Sequence, residues 1–105
     1  MDPRIKRILK TIEEKFATRL LVKKVAEVLG LSVSRFEHLF REEMDCTFTT
    51  YVREVRLRKA EPMLVDRIKR VEQVATDVGY NYARNFTRDF TKRNGKSPSQ
   101  SRALP

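Results

Sequence analysis

The spacing of apolar residues predicts an all-α fold of seven helices. Across the 105 residues, apolar side chains recur every three or four positions rather than in alternation, which indicates helices and not strands. Only three glycines and four prolines interrupt this pattern. The pattern also occurs twice, with a period of roughly 50 residues, and each copy is a helix pair joined by a short glycine turn. Such a repeat predicts two helix-turn-helix units.

Residues that favour helix ends bound the first three predicted helices. Asp2 and Pro3 form an N-cap and first-turn pair. The apolar stripe that follows them consists of Ile5, Ile8, Leu9, Ile12 and Phe16. A short second helix ends at Gly30, which can adopt a positive φ. Ser32 is expected to cap the third helix, whose apolar side is Phe36, Leu39, Phe40 and Met44.

A longer fourth helix is predicted over residues 47–65, with Thr47 as its cap. Its apolar side is Phe48, Tyr51, Val52, Val55, Ala60, Met63 and Leu64. Pro62 lies inside this pattern, so the helix either bends near Arg58 or stops before the proline. We expect a bend within one continuous helix, because the apolar spacing continues beyond Pro62.

The second half of the chain repeats the first. Val74-Ala75, Gly79, Phe86 and Phe90 match Val25-Ala26, Gly30, Phe36 and Phe40, with one extra residue in the second turn. We expect Asn81 to cap the sixth helix, Gly95 to end it, and Ser97-Pro98 to begin the seventh. Residues 1–105 are then one domain, with one helix-turn-helix subdomain over 4–46, a connecting helix over 47–65, and a second subdomain over 66–105.

The charge balance predicts a polyanionic partner. Charged residues make up 35% of the chain, its formal net charge is +9, and both halves are basic. An anionic membrane is not expected, since the longest apolar stretch, residues 20–22, is far too short and no signal-peptide pattern opens the chain. We therefore expect a cytoplasmic protein that binds nucleic acid.

Enzymatic chemistry is not expected from this composition. The chain has one histidine and one cysteine, and it lacks a glycine-rich phosphate loop, a CxxC pair and an HExxH motif. No cofactor or metal is therefore predicted. The single cysteine, Cys46, cannot form an internal disulfide and is interpreted as a buried or idle thiol.

The polar faces of the third and sixth helices are the candidate DNA-binding surfaces. Ser34, Glu37, His38 and Arg41 share an arc of roughly 100° that faces away from the phenylalanines. In the sixth helix, Arg84, Thr87, Arg88 and Thr91 face outward, with Ala83 at the edge. Arginine can pair bidentately with guanine, and small side chains can meet the thymine methyl group. Either face taken alone could be simply solvated, but two in tandem on a basic chain favour contact with the major groove.

Glu37 and His38 are interpreted separately. Glu37 repels phosphate yet can accept a hydrogen bond from cytosine N4, so it either specifies or excludes a base. A metal-binding role for His38 is disfavoured because there is no second histidine, which leaves contact with DNA or plain exposure. The first unit is therefore expected to bind DNA more weakly. The residues expected to contact the DNA backbone are Ser32, Arg35, Arg41, Asn85, Thr91, Lys92 and Lys96.

The run VEQVATDVGYNYARNFTRDFTKRNGKSPSQSR, residues 71–102, closely resembles the signature of the AraC/XylS family of bacterial transcription regulators. The run VAEVLGLSVSRFEHLFREEMDCTFTTYVREVRLRKAEPML resembles the family's other helix-turn-helix and connecting helix. The sequence departs from the family pattern at Ser101, where an aromatic residue is common, at Pro62, and at Asp45, which stands where Gly95 stands in the second half.

This resemblance implies a homeodomain-like domain in which a long central helix holds two helix-turn-helix units, and their recognition helices enter successive major grooves. A monomer would bind an asymmetric site. The family's base-contacting positions fall on Ser34, Glu37, His38, Ala83, Arg84, Thr87 and Arg88. Members regulate promoters, often by contacting RNA polymerase, and many carry an effector-binding or dimerisation domain for which this chain has no room.

The alternative function is non-specific, architectural binding of nucleic acid. Binding of RNA is disfavoured, because the aromatic residues have the spacing of core residues and not of an exposed stacking surface.

Overall fold

The computed structural model describes residues 1–102, and these form seven α-helices and no strand. The prediction of an all-α, seven-helix fold is confirmed. The helices are α1 (Pro3–Lys15), α2 (Val22–Val28), α3 (Val33–Met44), α4 (Phe48–Val65), α5 (Val71–Asp77), α6 (Ala83–Asn94) and α7 (Pro98–Arg102).

The chain divides into two compact units, Met1–Val55 and Arg56–Pro105, and the division falls inside α4. The first unit packs α1, α2, α3 and the start of α4 around one apolar core. This core is lined by Ile5, Ile8, Ile12, Val25, Ala26, Phe36, Phe40, Phe48, Val52 and Val55. The second unit buries Leu57, Ala60, Leu64, Val74, Ala75, Val78, Phe86, Phe90 and Pro98. Each unit therefore has apolar residues of its own to bury.

Hydrogen bonds at three helix starts confirm the predicted caps. The Asp2 carboxylate accepts from the backbone N–H of Arg4 at 2.8 Å, which closes the first turn of α1. The Ser32 hydroxyl accepts from the backbone N–H of Arg35 at 3.1 Å. At α4, the Thr47 hydroxyl accepts from the N–H of Thr50, also at 3.1 Å. Each bond satisfies a backbone donor that the helix itself leaves unpaired.

The prediction that Asn81 caps the sixth helix is wrong. Tyr82 occupies the N-cap position, with extended backbone angles and no side-chain hydrogen bond to the helix. Because α6 begins at Ala83, Asn81 lies one residue before the cap. Because the second turn has one extra residue, α6 begins one residue later than a cap at Asn81 would require, and the cap position falls on a tyrosine.

The two turns begin with the same hydrogen bond. The N–H of Leu31 donates to Ala26 O, and the N–H of Tyr80 donates to Ala75 O, both at 2.9 Å. The glycine that precedes each donor residue has a positive φ, which is +71° for Gly30 and +102° for Gly79. These bonds are the C-terminal caps of α2 and α5, and they confirm the prediction of two helix pairs joined by short glycine turns.

Helices α3 and α6 also end alike, although the residues at their ends differ. Gly95 has a φ of +77° and its N–H donates to Thr91 O at 2.8 Å. Asp45 has a φ of +58° and its N–H donates to Arg41 O at 2.9 Å. Aspartate tolerates the left-handed region better than most residues. The departure at Asp45 therefore leaves this helix end unchanged.

Ion pairs and hydrogen bonds connect α4 to α6 and α7 within the second unit. Glu61 accepts from Arg93 Nη1 at 2.7 Å and from Asn94 Nδ2 at 2.8 Å. The hydrogen bond from Asn94, together with that from Arg93, holds the pKa of Glu61 below its usual value. Arg102 Nε donates to Leu64 O at 3.3 Å, which satisfies a carbonyl in the last turn of α4.

Cys46 is half-buried and forms no disulfide. Burial, assisted by the Asp45 carboxylate, raises the pKa of the Cys46 thiol. The thiol is therefore protonated near neutral pH and a poor nucleophile. Among residues 1–102, no helix combines the length and the apolarity needed to cross a bilayer.

Pro62 lies within α4, which continues from Phe48 to Val65 without a break. The expectation of one continuous helix is confirmed; the bend near Arg58 stays a prediction. Proline has no N–H to donate to the carbonyl of Arg58, and its ring crowds that carbonyl. Since Pro62 is exposed, it gains no core packing in return.

We expect Pro62→Ala to raise the free energy of unfolding by about 1 to 2 kcal/mol. An interior proline costs about 3 kcal/mol relative to alanine, and part of this is offset because proline also restricts the unfolded chain. Urea unfolding measures the change. Pro3→Ala is the matched control, since Pro3 is also exposed but lies in the first turn of α1, where proline is tolerated. Equal shifts in the two variants would contradict the assignment of strain to Pro62.

Candidate nucleic-acid interface

Two buried phenylalanine rings set the orientation of α3. Phe36 and Phe40 are fully buried, with ring centroids 5.8 Å apart. Phe48, at the start of α4, packs against them at centroid distances of 5.5 and 5.8 Å. These tilted and edge-on contacts are the favourable geometries for aromatic pairs. The side of α3 that bears the rings is thereby fixed toward the core of the first unit.

The opposite side of α3 is polar and open to solvent. Every predicted DNA-contacting residue of the first unit is exposed: Ser32, Ser34, Arg35, Glu37, His38 and Arg41. One surface groove of about 420 Å³ is lined by Ser34, Glu37, His38, Arg41, Thr47, Phe48 and Thr49. The structure thus brings four of the predicted residues together. It adds Thr49 of α4, for which the sequence pattern gave no signal.

His38 and Glu42 form an ion pair along α3 when the imidazole is protonated. Their Nε2 and Oε2 atoms are 3.6 Å apart, and both side chains are largely exposed. Exposed pairs four residues apart contribute little to stability. Both side chains can therefore reorient at small cost when a ligand approaches.

The orientation of α6 is set in the same way. Phe86 and Phe90 are fully buried, with ring centroids 5.6 Å apart. Tyr80, in the turn before α6, packs edge-on against Phe86 at 5.4 Å. The opposite side of the helix is again polar, and it is more basic than the corresponding side of α3.

The predicted contact residues of the second unit differ in exposure. Arg84, Arg88, Lys92 and Lys96 are exposed, whereas Ala83, Asn85, Thr87 and Thr91 are half-buried. The Thr91 hydroxyl donates to Thr87 O at 2.6 Å, so its proton is engaged within the helix. A phosphate contact from Thr91 would require this hydroxyl to rotate.

Two arginines of α6 have neighbours that the sequence analysis missed. The Arg84 guanidinium lies over the ring of Tyr82, 5.2 Å from its centroid. Arg88 Nε donates to Asp89 Oδ1 at 3.1 Å. The repeat itself could have pointed to Tyr82, since a spacing of roughly 50 residues aligns it with the cap residue Ser32.

Comparison with known proteins agrees with this geometry. The profile of a family described as "Helix-turn-helix domain" matches residues 25–103. The arabinose operon regulatory protein of Escherichia coli (strain K12) is 30% identical over 104 residues, which cover 98% of this chain and 36% of that protein. The chain belongs to the AraC/XylS family. It spans about a third of the length of most of the curated relatives that it matches, and 12% of one of them.

Two solved domains share the fold. The C-terminal domain of AraT, a response regulator from Geobacillus stearothermophilus, superposes with a TM-score of 0.89 at 27% identity, covering 96% of this chain and 84% of that domain. The DNA-binding domain of AdpA, solved in complex with a target DNA, gives a TM-score of 0.85 at 21% identity, covering 98% and 92%. The second likeness concerns the fold alone.

Two serines at the start of α3 distinguish a helix cap from a residue that is merely exposed on the helix surface. Ser32→Ala removes the bond to the N–H of Arg35 and is expected to lower the free energy of unfolding by about 1 kcal/mol. Ser34→Ala is the control: Ser34 is exposed on the outer face, and alanine favours helix, so stability should stay level or rise slightly. Thermal unfolding compares them. An equal loss in both would show that Ser32 does not act as a cap.

Proposed function

We propose that this chain binds double-stranded DNA in a sequence-specific manner and regulates transcription at promoters. Each unit is proposed to place its second helix, α3 or α6, against the major groove. The observation that carries the proposal is the exposure of Arg84 and Arg88 on the side of α6 opposite the buried phenylalanines. In this position the guanidinium groups can reach base edges, where arginine pairs with guanine O6 and N7.

The bases are proposed to be contacted by Arg84, Arg88, Thr87 and Ala83 in the second unit and by Ser34, Glu37 and His38 in the first. The half-buried positions of Ala83 and Thr87 suit close contact with a thymine methyl group, since they lie low on the helix surface. Glu37 is exposed and can accept from cytosine N4. The first unit would therefore select bases more weakly than the second.

Contact with the phosphate backbone is assigned to Ser32, Arg35, Arg41, Asn85, Thr91, Lys92 and Lys96. The net charge of +9 supports this assignment, because each neutralised phosphate releases condensed counterions and strengthens binding. The fold that the chain shares with the AdpA domain, which was solved with a target DNA, supports DNA binding by the domain as a whole. Contact with RNA polymerase, a further effector-binding or dimerisation domain, and a place at the cytoplasmic nucleoid rest on the family resemblance and stay predictions.

The alternative is an architectural protein that binds DNA without regard to sequence. Both functions predict salt-dependent affinity, so salt dependence does not separate them. Selection of bound duplexes from a random library, followed by sequencing, does separate them. A specific protein enriches one motif and loses about 1 to 3 kcal/mol for each mismatched base pair, whereas an architectural protein enriches none.

Arg88→Ala is expected to lower affinity for the selected site by about 1 to 3 kcal/mol and to relax the preference for one base pair. Ser34→Ala should cost less, because serine cannot make a bidentate guanine contact. Fluorescence anisotropy with a series of single-base substitutions in the site measures both effects. If Arg88→Ala lowers affinity equally for every substituted site, Arg88 contacts phosphate and not a base.

The domain is expected to bind as a monomer on a site without two-fold symmetry. The two recognition helices belong to one chain and differ in sequence, so a single copy supplies two unlike base-contacting surfaces. Analytical ultracentrifugation of the complex with the selected duplex gives the stoichiometry. Two chains on a palindromic site would contradict this expectation.

A further inference from the structure

Arg88 is connected to the core of the second unit through two polar side chains. One carboxylate oxygen of Asp89 accepts from Arg88 Nε at 3.1 Å, and the other accepts from the hydroxyl of Tyr80 at 2.9 Å. The Asp89 side chain is only 16% exposed, whereas that of Arg88 is 69% exposed. The carboxylate therefore connects a fixed side chain to a side chain that extends into solvent.

Tyr80 is held in place from two sides. Its ring packs edge-on against the buried Phe86, with centroids 5.4 Å apart. Its backbone N–H donates to Ala75 O at 2.9 Å, as part of the cap of α5. A hydroxyl on a ring held in this way has little freedom, so the Asp89 carboxylate is held at a defined position on α6.

The contact through Nε constrains the rest of the arginine. An exposed arginine samples many rotamers, and ordering it on binding carries an entropic cost. Hydrogen bonding at Nε restricts the orientation of the guanidinium and leaves its two terminal nitrogens for a further partner. These are the nitrogens that an end-on pairing would present to guanine O6 and N7.

We propose that Tyr80 and Asp89 are positioning residues that hold Arg88 ready for bidentate pairing with a guanine. This proposal rests on the proposed function, since it assigns a role to side chains behind a base-contacting arginine. Asp89 itself carries a negative charge that repels phosphate, so it weakens binding to DNA in general. Its benefit is expected only where a guanine is present at the position that Arg88 contacts.

The first unit lacks this arrangement. The repeat aligns Leu31 with Tyr80 and Leu39 with Asp89, and neither leucine side chain can form a hydrogen bond. His38, which aligns with Arg88, is paired with Glu42 at 3.6 Å, and that carboxylate is itself largely exposed. The positioning device therefore belongs to α6 alone, and it supports the inference that the second unit discriminates bases more strongly.

The test measures base discrimination at the position that Arg88 contacts. That position is first located as the base pair at which Arg88→Ala loses its preference in the selected site. Tyr80→Phe, which keeps the ring and removes the hydroxyl, is expected to reduce discrimination there by roughly three- to tenfold, the effect of losing one hydrogen bond. Preferences at other positions should stay unchanged, and the melting temperature should fall by no more than a few degrees, as expected for one lost hydrogen bond.

Asp89→Asn supplies an independent signature. Removal of the negative charge is expected to raise affinity for random duplex DNA, while discrimination at the Arg88 position falls. Loss of structure would lower both quantities, so opposite movements identify a positioning role. In the Arg88→Ala background, Tyr80→Phe is expected to have no further effect on discrimination, because the side chain that it positions is gone.

Tyr51→Phe is the matched control, since it also removes a hydroxyl from a half-buried tyrosine whose ring contacts a recognition-helix phenylalanine, at 5.7 Å from Phe40. It should leave the Arg88 position unaffected. If Tyr80→Phe and Asp89→Asn leave discrimination unchanged or increase it while Arg88→Ala abolishes it, the positioning role is wrong and the proposed function stands. If Arg88→Ala itself changes no base preference, the assignment of Arg88 to base contact fails, and the positioning role fails with it.

Discussion

The rotation of α3 and of α6 about its own axis depends on one pair of buried phenylalanines. Phe36 and Phe40, like Phe86 and Phe90, are four residues apart, which places both rings within about 40° of the helix circumference. Burial of a phenylalanine side chain contributes about 1.5 to 3 kcal/mol. A rotation by one residue, about 100°, would expose both rings of a pair. The polar side of the helix is therefore held outward by the core, whatever residues it carries.

Features that depend on local sequence could be predicted, and features that depend on turn length could not. Asp2, Ser32 and Thr47 were recognised as caps because each directly precedes its helix and carries a suitable oxygen. The same argument failed at Asn81, since residue type alone does not show where a turn of different length returns to helix. The alignment of the two halves would have placed Tyr82 at the cap, because the phenylalanines fix its register.

The second buried side of α4 and the hydrogen bonds between elements could not be predicted from sequence periodicity. Burial of Leu57, which is 2% exposed, was not predicted, because one apolar stripe was expected on α4. Val55 and Leu57 are about 200° apart on the helix, and both are buried, so α4 buries two of its sides. The bond from Tyr80 to Asp89 joins a turn to a helix nine residues further on, and no helical or strand periodicity predicts such a pair.

Under the proposed function, the different charges of α3 and α6 mean that the two units contribute unequally to DNA binding. α6 carries four basic residues and one acidic residue, whereas α3 carries two basic and three acidic residues. Attraction to phosphate would therefore be stronger at α6 than at α3. Asp89, the one carboxylate of α6, accepts a hydrogen bond from Arg88 and is proposed to position it. On α3 the exposed carboxylate of Glu37 repels phosphate at every site, and a hydrogen bond from a cytosine amino group would offset that repulsion only at a matching base. An unfavourable charge of this kind contributes to specificity by weakening binding to wrong sites. The first unit would then add selectivity to a complex whose affinity comes mainly from the second.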